Sequence, residues 1–468
     1  MKTKINEMAL HEFRKNFLGR IILPGTPGYD GARTVFNAMI DRHPAIIAQC
    51  LDAADVAAAI RFGRDLGLEI SVRCGGHSVA GKSLTEGGIV IDLRQMHAVS
   101  VDPANRTAVV QGGALMGHLD RATQPYGLAT TGGRVSTTGV GGFTLGGGSG
   151  WFDRKFGLAC DNLRSVELVT ASGAILHASE DENAELFWAL HGGGGNFGVV
   201  TAFKFHLYEL SQVTVIQLFW HPEKGVDVLS NYRDYMKTAP VEVSGGASFI
   251  SAGNEAFIPK SLRGQLIFGV TVVYPGSEAD ARRAAAPILS LGHASEHSAV
   301  MAYADFQCSM DDQPGYRNYW SAEYLESLPD EAVERFCKRA ADMIVPSPSQ
   351  HVIYPQGGAV SNPEKDYPIP WRYADWAVHP FGQWEDPSLD DVGRRWARSV
   401  CEDLKPWSSG AVYLNYIGDE GRGRTIAGLG KTNYDRLAAV KAHYDPENVF
   451  HLNHNIKPIE EKHGSLVI

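Results

Sequence analysis

The sequence predicts an α+β protein with more than one domain, and three observations lead to that prediction. The chain has 468 residues, which is more than one hydrophobic core usually holds. Between residues 45 and 93, strand-like and helix-like segments alternate. From about residue 212, longer strand-like runs and separate helical runs replace that alternation, and glycine becomes less dense. We therefore place a domain boundary near residue 210.

The first of these segments has the pattern of a β-α-β unit. Apolar residues 45–48 predict a short strand, and Asp52 is placed to cap the helix that follows. Residues 69–73 alternate as a strand does, and residues 88–93 predict another. The glycine-rich stretch 75–77 therefore falls on a loop directly after a strand.

The later elements have more ordinary spacing. Residues 165–176 predict a hairpin that turns at Ser172 and Gly173. The hydrophobic pattern predicts strands at 213–220 and 265–274, and helices at 277–290, 330–344 and 433–443.

Charge and cysteine content exclude several classes of function. The net charge is −10, from 43 basic and 53 acidic residues, which argues against nucleic acid or an anionic membrane as the main partner. No apolar stretch reaches the about 20 residues of a membrane span, and no leader pattern is visible. We expect a cytoplasmic protein, with secretion of a processed form left open. Six cysteines without a CxxC pair favour neither a disulfide framework nor a zinc or other metal site.

Two glycine clusters, at 132–150 and 191–198, are the densest in the chain. Glycine lets backbone N–H groups approach an anion closely, so such loops suit a pyrophosphate; tight turns are the alternative interpretation. Neither cluster contains the P-loop pattern, and no strand–GxGxxG–helix unit with a following acidic residue is evident. A P-loop nucleotidase and an NAD-binding Rossmann domain are therefore disfavoured.

Six blocks carry a family resemblance when they are taken together and in order. They are residues 73–78, 139–148, 156–162, 195–200, 413–416 and 444–450. In this set the chain resembles the FAD-linked oxidoreductases of the vanillyl-alcohol-oxidase superfamily, in particular the berberine-bridge-enzyme-like branch. The blocks extend over about 380 residues.

The resemblance implies a particular division of the chain. Residues 1–210 would form an FAD-binding domain of two α+β subdomains. Residues 211–415 would form a substrate-binding domain with an antiparallel sheet covered by helices. Residues 416–468 would return to the FAD-binding domain.

The resemblance also implies FAD held by two covalent bonds. His77 would bond to the 8α-methyl carbon of the flavin, and Cys160 to its C6. An imidazole and a thiolate are side chains able to attack the electron-poor edge of the ring. The alternative is a core histidine and an inert buried cysteine.

Further cofactor contacts follow from the same blocks. The implied FAD-contacting residues are Arg73, Gly75, Gly76, Ser78, Thr138, Gly139, Gly142, Gly146, Gly147, Gly198, Val200 and Asn415.

The predicted catalytic base is Tyr416. Hydride leaves an alcohol carbon for flavin N5 only as the hydroxyl proton is removed, and the resemblance places Tyr416 at that proton. Tyr413 would lie at the flavin or the substrate, and Tyr354 and Gln356 are candidate partners of the base. A plain strand with buried aromatic residues also fits the pattern around Tyr416.

Leu163 bears on the electron acceptor. In the family, the residue three positions after the flavin-linked cysteine influences the access of oxygen. A leucine there predicts a dehydrogenase that passes electrons to another acceptor.

The function predicted is FAD-dependent oxidation of a CH–OH group on a bulky substrate, such as a saccharide or a glycosylated or polycyclic natural product. Oxygen or another electron acceptor completes the reaction, in a monomer or a homodimer. One alternative is oxidative C–N or C–C bond formation on an alkaloid-like or aromatic small molecule. Another is a ligand-binding protein that retains flavin without turnover.

Overall fold

The computed structural model describes residues 5–459. Residues 1–4 and 460–468, at the outer ends of the predicted first domain and C-terminal segment, lie outside the described residues. The described chain forms sheets of four, five and eight strands and one two-stranded pair, with helices packed between and upon them. This mixed architecture confirms the predicted α+β class.

The four-stranded sheet contains the predicted β-α-β unit. Its strands, in spatial order, are Arg20–Ile22, Ile46–Gln49, Ile89–Asp92 and Ile70–Arg73. The last two strands and Ile46–Gln49 are parallel, and helix Ala53–Asp65 connects two of them. The Asp52 carboxylate accepts the N–H of Asp55 at 2.8 Å and so caps this helix.

The five-stranded sheet is antiparallel throughout. Its strands, in spatial order, are Val99–Asp102, Thr107–Gln111, Val199–His206, Leu163–Val169 and Ile175–Ser179. The last two strands form the hairpin predicted at 165–176. Leu128–Ala129 and Tyr208–Glu209 form the separate pair.

The eight-stranded sheet begins at Gln212 and is also antiparallel. Its strands, in spatial order, are Ser295–Ala302, Gln212–Trp220, Leu266–Tyr274, Ser244–Ser251, Gln350–Pro355, Trp376–Trp384 and Arg317–Trp320, with Glu323–Leu325 also paired to Trp376–Trp384. The helices that carry buried residues of its core are Gly225–Met236, Glu278–Ala284, Ala286–Leu289, Asp330–Arg339 and Asp390–Leu404. An antiparallel sheet covered by helices is thus confirmed.

The remaining helices are between 4 and 14 residues long. They are Glu7–Lys15, Tyr29–Arg33, Met116–Thr123, Val140–Leu145, Asp153–Phe156, Ala184–Ala189, Tyr303–Ser309, Gly421–Leu429 and Lys431–Tyr444.

The C-terminal part of the chain lies against the N-terminal half. The buried ammonium of Lys441 donates to the backbone oxygen of Asn196 at 2.6 Å, and Arg436 pairs with Glu185 at 2.7 Å. Asn37 likewise donates to the backbone oxygen of Asn318 at 2.9 Å, which joins the first part of the chain to the large sheet. The exact division at 210 and 415 stays a prediction.

Between residues 5 and 459, no helix combines the length and the apolar character that crossing a membrane requires.

Candidate active site

A large cavity lies between the glycine-rich loops and the eight-stranded sheet. It brings together most of the residues that the sequence singled out, although they are far apart along the chain. Those lining it are Gly75, Gly76, His77, Ser78, Thr138, Gly139, Gly142, Gly146, Gly198, Val200, Tyr354, Tyr413, Asn415 and Tyr416.

The loop after strand Ile70–Arg73 turns a row of backbone donors towards this cavity. The N–H groups of Gly76, His77, Ser78 and Val79 have no acceptor among residues 5–459, and all four residues line the cavity. Gly76 has φ of 73°, a conformation that favours glycine. Consecutive free N–H groups form an anion-binding concavity, so this loop fits the pyrophosphate of FAD.

Arg73 supports this loop from beneath and does not line the cavity. Its guanidinium donates to the backbone oxygens of Ala32 and Thr34, and burial lowers its pKa to about 10. Nε of Arg73 has no hydrogen-bond partner among the described residues, and the predicted contact between Arg73 and FAD stays a prediction.

The loop around Gly139 touches the His77 loop through its backbone. A Cβ on Gly139 would lie 2.4 Å from the nitrogen of Gly75 and 2.5 Å from Sγ of Cys74. Only glycine permits this approach, which holds two sides of the cavity together.

Gly146 and Gly147 differ in position. The Asn415 side chain fills the space beside Gly146 and donates to the backbone oxygen of Gly142 at 3.2 Å. Gly147 is not among the lining residues. Its backbone oxygen accepts the N–H of Cys160 at 2.9 Å. Gly147 therefore connects the cavity wall to the turn behind it.

His77 faces the cavity as a neutral imidazole. Nε2 lies 2.9 Å from Oγ1 of Thr137, and the ring stacks on Phe36 at 4.3 Å. Burial lowers the pKa of His77 to about 4, against the opposing effect of Asp311. At neutral pH the ring therefore keeps a lone pair, as a nucleophile requires.

Cys160 is placed differently from His77, and the predicted second flavin bond stays a prediction. Its side chain is 0% exposed within the main hydrophobic cluster and does not line the cavity. Burial raises the pKa of the thiol well above its ordinary value, which favours the thiol over the thiolate in these surroundings.

Leu163 shares this buried environment. It begins strand Leu163–Val169, packs in the same cluster and is not among the lining residues. The predicted control of oxygen access by Leu163 stays a prediction.

Tyr416 is held by an arginine that the sequence analysis did not single out. Arg134 donates from Nη1 to the phenol oxygen of Tyr416 at 2.6 Å, and its guanidinium lies 4.0 Å from the ring centre of Tyr354. Burial raises the pKa of Tyr416, and the positive charge of Arg134 opposes that rise. Arg134 is the one charged residue of the glycine cluster 132–150, which is the signal that could have identified it.

A buried carboxylate balances the charge of Arg134. Oδ2 of Asp153 lies 3.9 Å from Nη2 of Arg134 and accepts the Ser149 hydroxyl at 2.7 Å. Burial raises the pKa of Asp153, whereas Arg134 lowers it. The charge of Arg134, which lines the cavity, is therefore compensated by a carboxylate that lies outside the lining.

Tyr413 also lines the cavity. Its phenol oxygen accepts the N–H of Gly148 at 3.1 Å and the amide of Asn415 at 2.8 Å, and burial raises its pKa. Tyr413 directly precedes the short 3₁₀ turn Leu414–Tyr416, and Tyr416 is its last residue, so the alternative of a plain strand at this place is wrong.

Gln356 lies away from Tyr416. It does not line the cavity, and its amide reaches only the backbone oxygen of Pro355 at 3.5 Å. Its predicted partnership with the tyrosine is therefore wrong. The strand Gln350–Pro355 ends before Gln356, and Tyr354 is the residue that it presents to Arg134.

His379 is a further cavity residue that the motifs did not reveal. It lies in strand Trp376–Trp384, and its ring stacks on Tyr416 at 4.2 Å with an angle of 7° between the planes. Nδ1 lies 2.9 Å from the backbone oxygen of Ser321. Burial lowers its pKa to about 4. No motif surrounds it in the sequence, and only its pairing in the sheet brings it to the cavity.

Two family models match this chain. One, described as "FAD binding domain", matches residues 44–179; the other, described as "Berberine and berberine like", matches residues 412–457. They cover the loops of His77 and Gly139 and the turn of Tyr416.

Curated relatives match along nearly the whole chain. (R)-6-hydroxynicotine oxidase of Paenarthrobacter nicotinovorans is 32% identical over 460 residues, which are 94% of this chain and 97% of that protein. Glucooligosaccharide oxidase of Sarocladium strictum is 28% identical over 474 residues, covering 92% and 91%.

Solved structures share the fold. The structure of 6-hydroxy-D-nicotine oxidase from Arthrobacter nicotinovorans matches with a TM-score of 0.83 at 28% identity, covering 95% of this chain and 98% of that one. That of BBE-like 1 from Physcomitrella patens matches with a TM-score of 0.85 at 21% identity, covering 97% and 99%. Together with the cavity and its free N–H groups, these matches show that the chain belongs to the berberine-bridge-enzyme-like family of FAD-linked oxidoreductases.

Proposed function

We propose that the protein oxidises the CH–OH group of a bulky substrate, such as a saccharide or a glycosylated or polycyclic natural product. The observation that carries this proposal is that His77 and the Tyr416–Arg134 pair line one cavity. When bound there, FAD supplies the acceptor for the hydride of the alcohol carbon.

One covalent bond, from His77, attaches the cofactor in this proposal. Thr137 occupies Nε2, so Nδ1 is the ring nitrogen left for the bond. The low pKa of His77 keeps the imidazole neutral, and a neutral ring nitrogen is the nucleophilic form. Cys160 takes no part, because its thiol is buried away from the cavity.

Tyr416, the residue predicted as base, engages the reacting hydroxyl. Arg134 fixes the phenol oxygen, and Asp153 offsets the arginine charge. Aromatic walls from Trp151, Trp320 and other lining residues offer flat surfaces on which a sugar or polycyclic ring can stack.

We propose oxygen as the electron acceptor. Two relatives carry the name oxidase, and Leu163 is not among the residues that line the cavity.

A second candidate is the oxidation of an amine-bearing or aromatic small molecule with C–N or C–C bond formation. Asp312 favours it, since this carboxyl group lines the cavity and burial, with Asp311 nearby, raises its pKa to about 7. A cationic amine would pair with this carboxylate.

The test is anaerobic addition of a panel of sugars, glycosides, polycyclic alcohols and amines to the holoenzyme, with flavin absorbance as the readout. We expect an alcohol to bleach the flavin and air to restore its colour. Tyr416→Phe should slow bleaching by about 100-fold, since it removes the hydroxyl that hydrogen-bonds the reacting oxygen, and a single such group contributes on this order. Bleaching by amines alone would favour the second candidate, and no bleaching would favour a ligand-binding protein without turnover.

A further inference from the structure

We propose that Nε2 of His379 is the atom that accepts the proton of the substrate hydroxyl. This inference rests on the proposed alcohol oxidation and deepens it, because it separates the acceptor of the proton from the residue that holds the oxygen.

The tautomer of His379 follows from a single contact. Nδ1 lies 2.9 Å from the backbone oxygen of Ser321, and a carbonyl oxygen can only accept a hydrogen bond. Nδ1 must therefore carry the hydrogen. In a neutral imidazole, Nε2 then has the lone pair and no hydrogen.

The lone pair of Nε2 is open to the cavity. His379 lines the cavity. Its Nε2 has no hydrogen-bond partner among the described residues. This atom is not fully buried, since it is not among the buried atoms that lack a partner. The rings of Trp320 and Phe381 stand edge-on to the imidazole, each with its centre 5.6 Å away. These contacts fix the ring without covering Nε2.

The charged and titratable groups around His379 keep it neutral at rest. Tyr416 stacks on one face of the His379 ring. The positive charge of Arg134 disfavours protonation of that ring. Burial, with a smaller effect of Arg134, lowers the pKa of His379 to about 4. The ring is therefore an unprotonated acceptor throughout the neutral range.

The protonation state of the Tyr416 phenol complements that of the His379 ring. Burial raises the pKa of its phenol, so the phenol stays protonated at neutral pH, and Arg134 already donates to its oxygen. Tyr416 is therefore suited to donate its own hydrogen to the substrate oxygen, while His379 takes the substrate hydrogen.

The step balances in atoms and electrons. The O–H bond of the alcohol breaks and its proton moves to Nε2, while the C–H bond gives its hydride to FAD, which is reduced by two electrons. The carbon and oxygen become a carbonyl group. The imidazolium that forms lies near Arg134, which disfavours its charge and favours release of the proton to water.

The first test is direct observation of the tautomer in the holoenzyme. With ¹⁵N-labelled histidine, we expect the His379 signals, identified by their loss in His379→Asn, to show a protonated Nδ1 and an unprotonated Nε2 at pH 7. A protonated Nε2 at pH 7 would overturn the proposal, whatever the substrate is.

The second test measures the anaerobic rate of flavin bleaching by an alcohol that the panel identifies. His379→Asn keeps a donor in the place of Nδ1 but lacks Nε2, and we expect bleaching to slow by about 100-fold or more. His379→Ala should recover part of the rate when imidazole is added. In the wild type, the rate should fall as the pH falls through about 4, since the protonated ring no longer accepts.

His351→Gln is the matched control. His351 is also a fully buried histidine with pKa lowered by burial to about 4, and Gln replaces its contact from Nε2 to the backbone oxygen of Phe336. It packs in the core of the large sheet, away from the cavity lining. We expect its bleaching rate to stay near that of the wild type.

The outcomes separate the two proposals. If no alcohol bleaches the wild-type flavin, the proposed function fails and the role of His379 in it fails as well. If alcohols bleach the wild type and His379→Asn equally fast, or imidazole gives no recovery in His379→Ala, the proposed function stands and the assignment of His379 is overturned.

Discussion

His77 and Cys160 were predicted to hold the same cofactor, yet the structure gives them opposite surroundings. The His77 loop borders the cavity, with free backbone N–H groups and a neutral imidazole. The Cys160 turn lies behind the cavity wall, with a thiol in the hydrophobic cluster. Both residue types can be nucleophiles, so the difference comes from position alone. A reactive residue type therefore predicts chemistry only where its side chain meets the ligand in a reactive ionisation state.

The largest expected effect separates the two residues directly. After acid denaturation of the holoenzyme, the flavin should precipitate with wild-type protein and with Cys160→Ala, because we propose that His77 alone makes the bond. With His77→Ala the flavin should stay in solution, as the proposed single attachment requires. Absorbance of pellet and supernatant checks this.

Two outcomes would contradict the proposal that His77 alone attaches the flavin. Flavin retained by His77→Ala and released only by the double variant would restore Cys160 as a second attachment. Flavin released by the wild type would exclude covalent attachment at either residue.

The next effect concerns the turn of Cys160. Arg372, fully buried, donates to the carboxylate of Asp161 at 2.7 Å. Arg372→Ala should lower the free energy of unfolding by about 3–5 kcal/mol, since it leaves a buried charge unpaired. Denaturant unfolding measures this.

Arg283→Ala is the control for that prediction. Arg283 forms an exposed ion pair with Asp280, and its loss should change the free energy of unfolding by only about 0–1 kcal/mol. Equal effects of the two substitutions would show that the Cys160 turn is not the buried core that we describe.

A smaller effect is expected where the His77 loop meets Gly139. Gly139→Ala would press a methyl group against the backbone nitrogen of Gly75, and overpacking of this kind costs about 1–3 kcal/mol. We expect a lower melting temperature and a lower FAD content. Gly31→Ala, in a helix with open space beyond the glycine, should retain both; unchanged FAD content in Gly139→Ala would argue against the close approach.

The smallest effect is the pH dependence of stability near the Cys160 turn. Burial lowers the pKa of His191 to about 4, below the about 6.5 of an unfolded histidine. The unfolded chain therefore binds more protons between these values, and the free energy of unfolding falls as the pH falls from 6.5 to 4.

Between pH 7 and 5.5 this histidine should contribute a loss of about 1 kcal/mol. His191→Asn, which keeps a donor towards the backbone oxygen of Phe187, should show a flatter pH dependence in thermal unfolding. An equally steep dependence would mean that His191 is not held neutral.

Local patterns predicted the elements well because their causes are local. Asp52 caps its helix through an N–H three residues away, and the hairpin at 165–176 turns at adjacent residues. The His77 loop was also predictable, since it follows directly from its strand. Gln356 and Cys160 could not be placed in this way, because the direction of a side chain in an irregular turn depends on what packs against it.

Arg134 and His379 are two site residues that short sequence motifs could not reveal. Arg134 is 282 positions from its partner Tyr416, and His379 lies against that tyrosine from a strand held in the large sheet by its pairing with distant strands. No short motif contains such pairs.

By itself, the sequence determined the fold class, the family and the glycine loops for FAD, because periodicity, turn residues and ordered motifs are properties of neighbouring positions. Only the tertiary structure decided which nucleophile faces the cofactor cavity, which arginine holds Tyr416 and which histidine has an open lone pair. The physical reason is that burial and distant partners set the ionisation and direction of a side chain, and both arise only when the chain has packed.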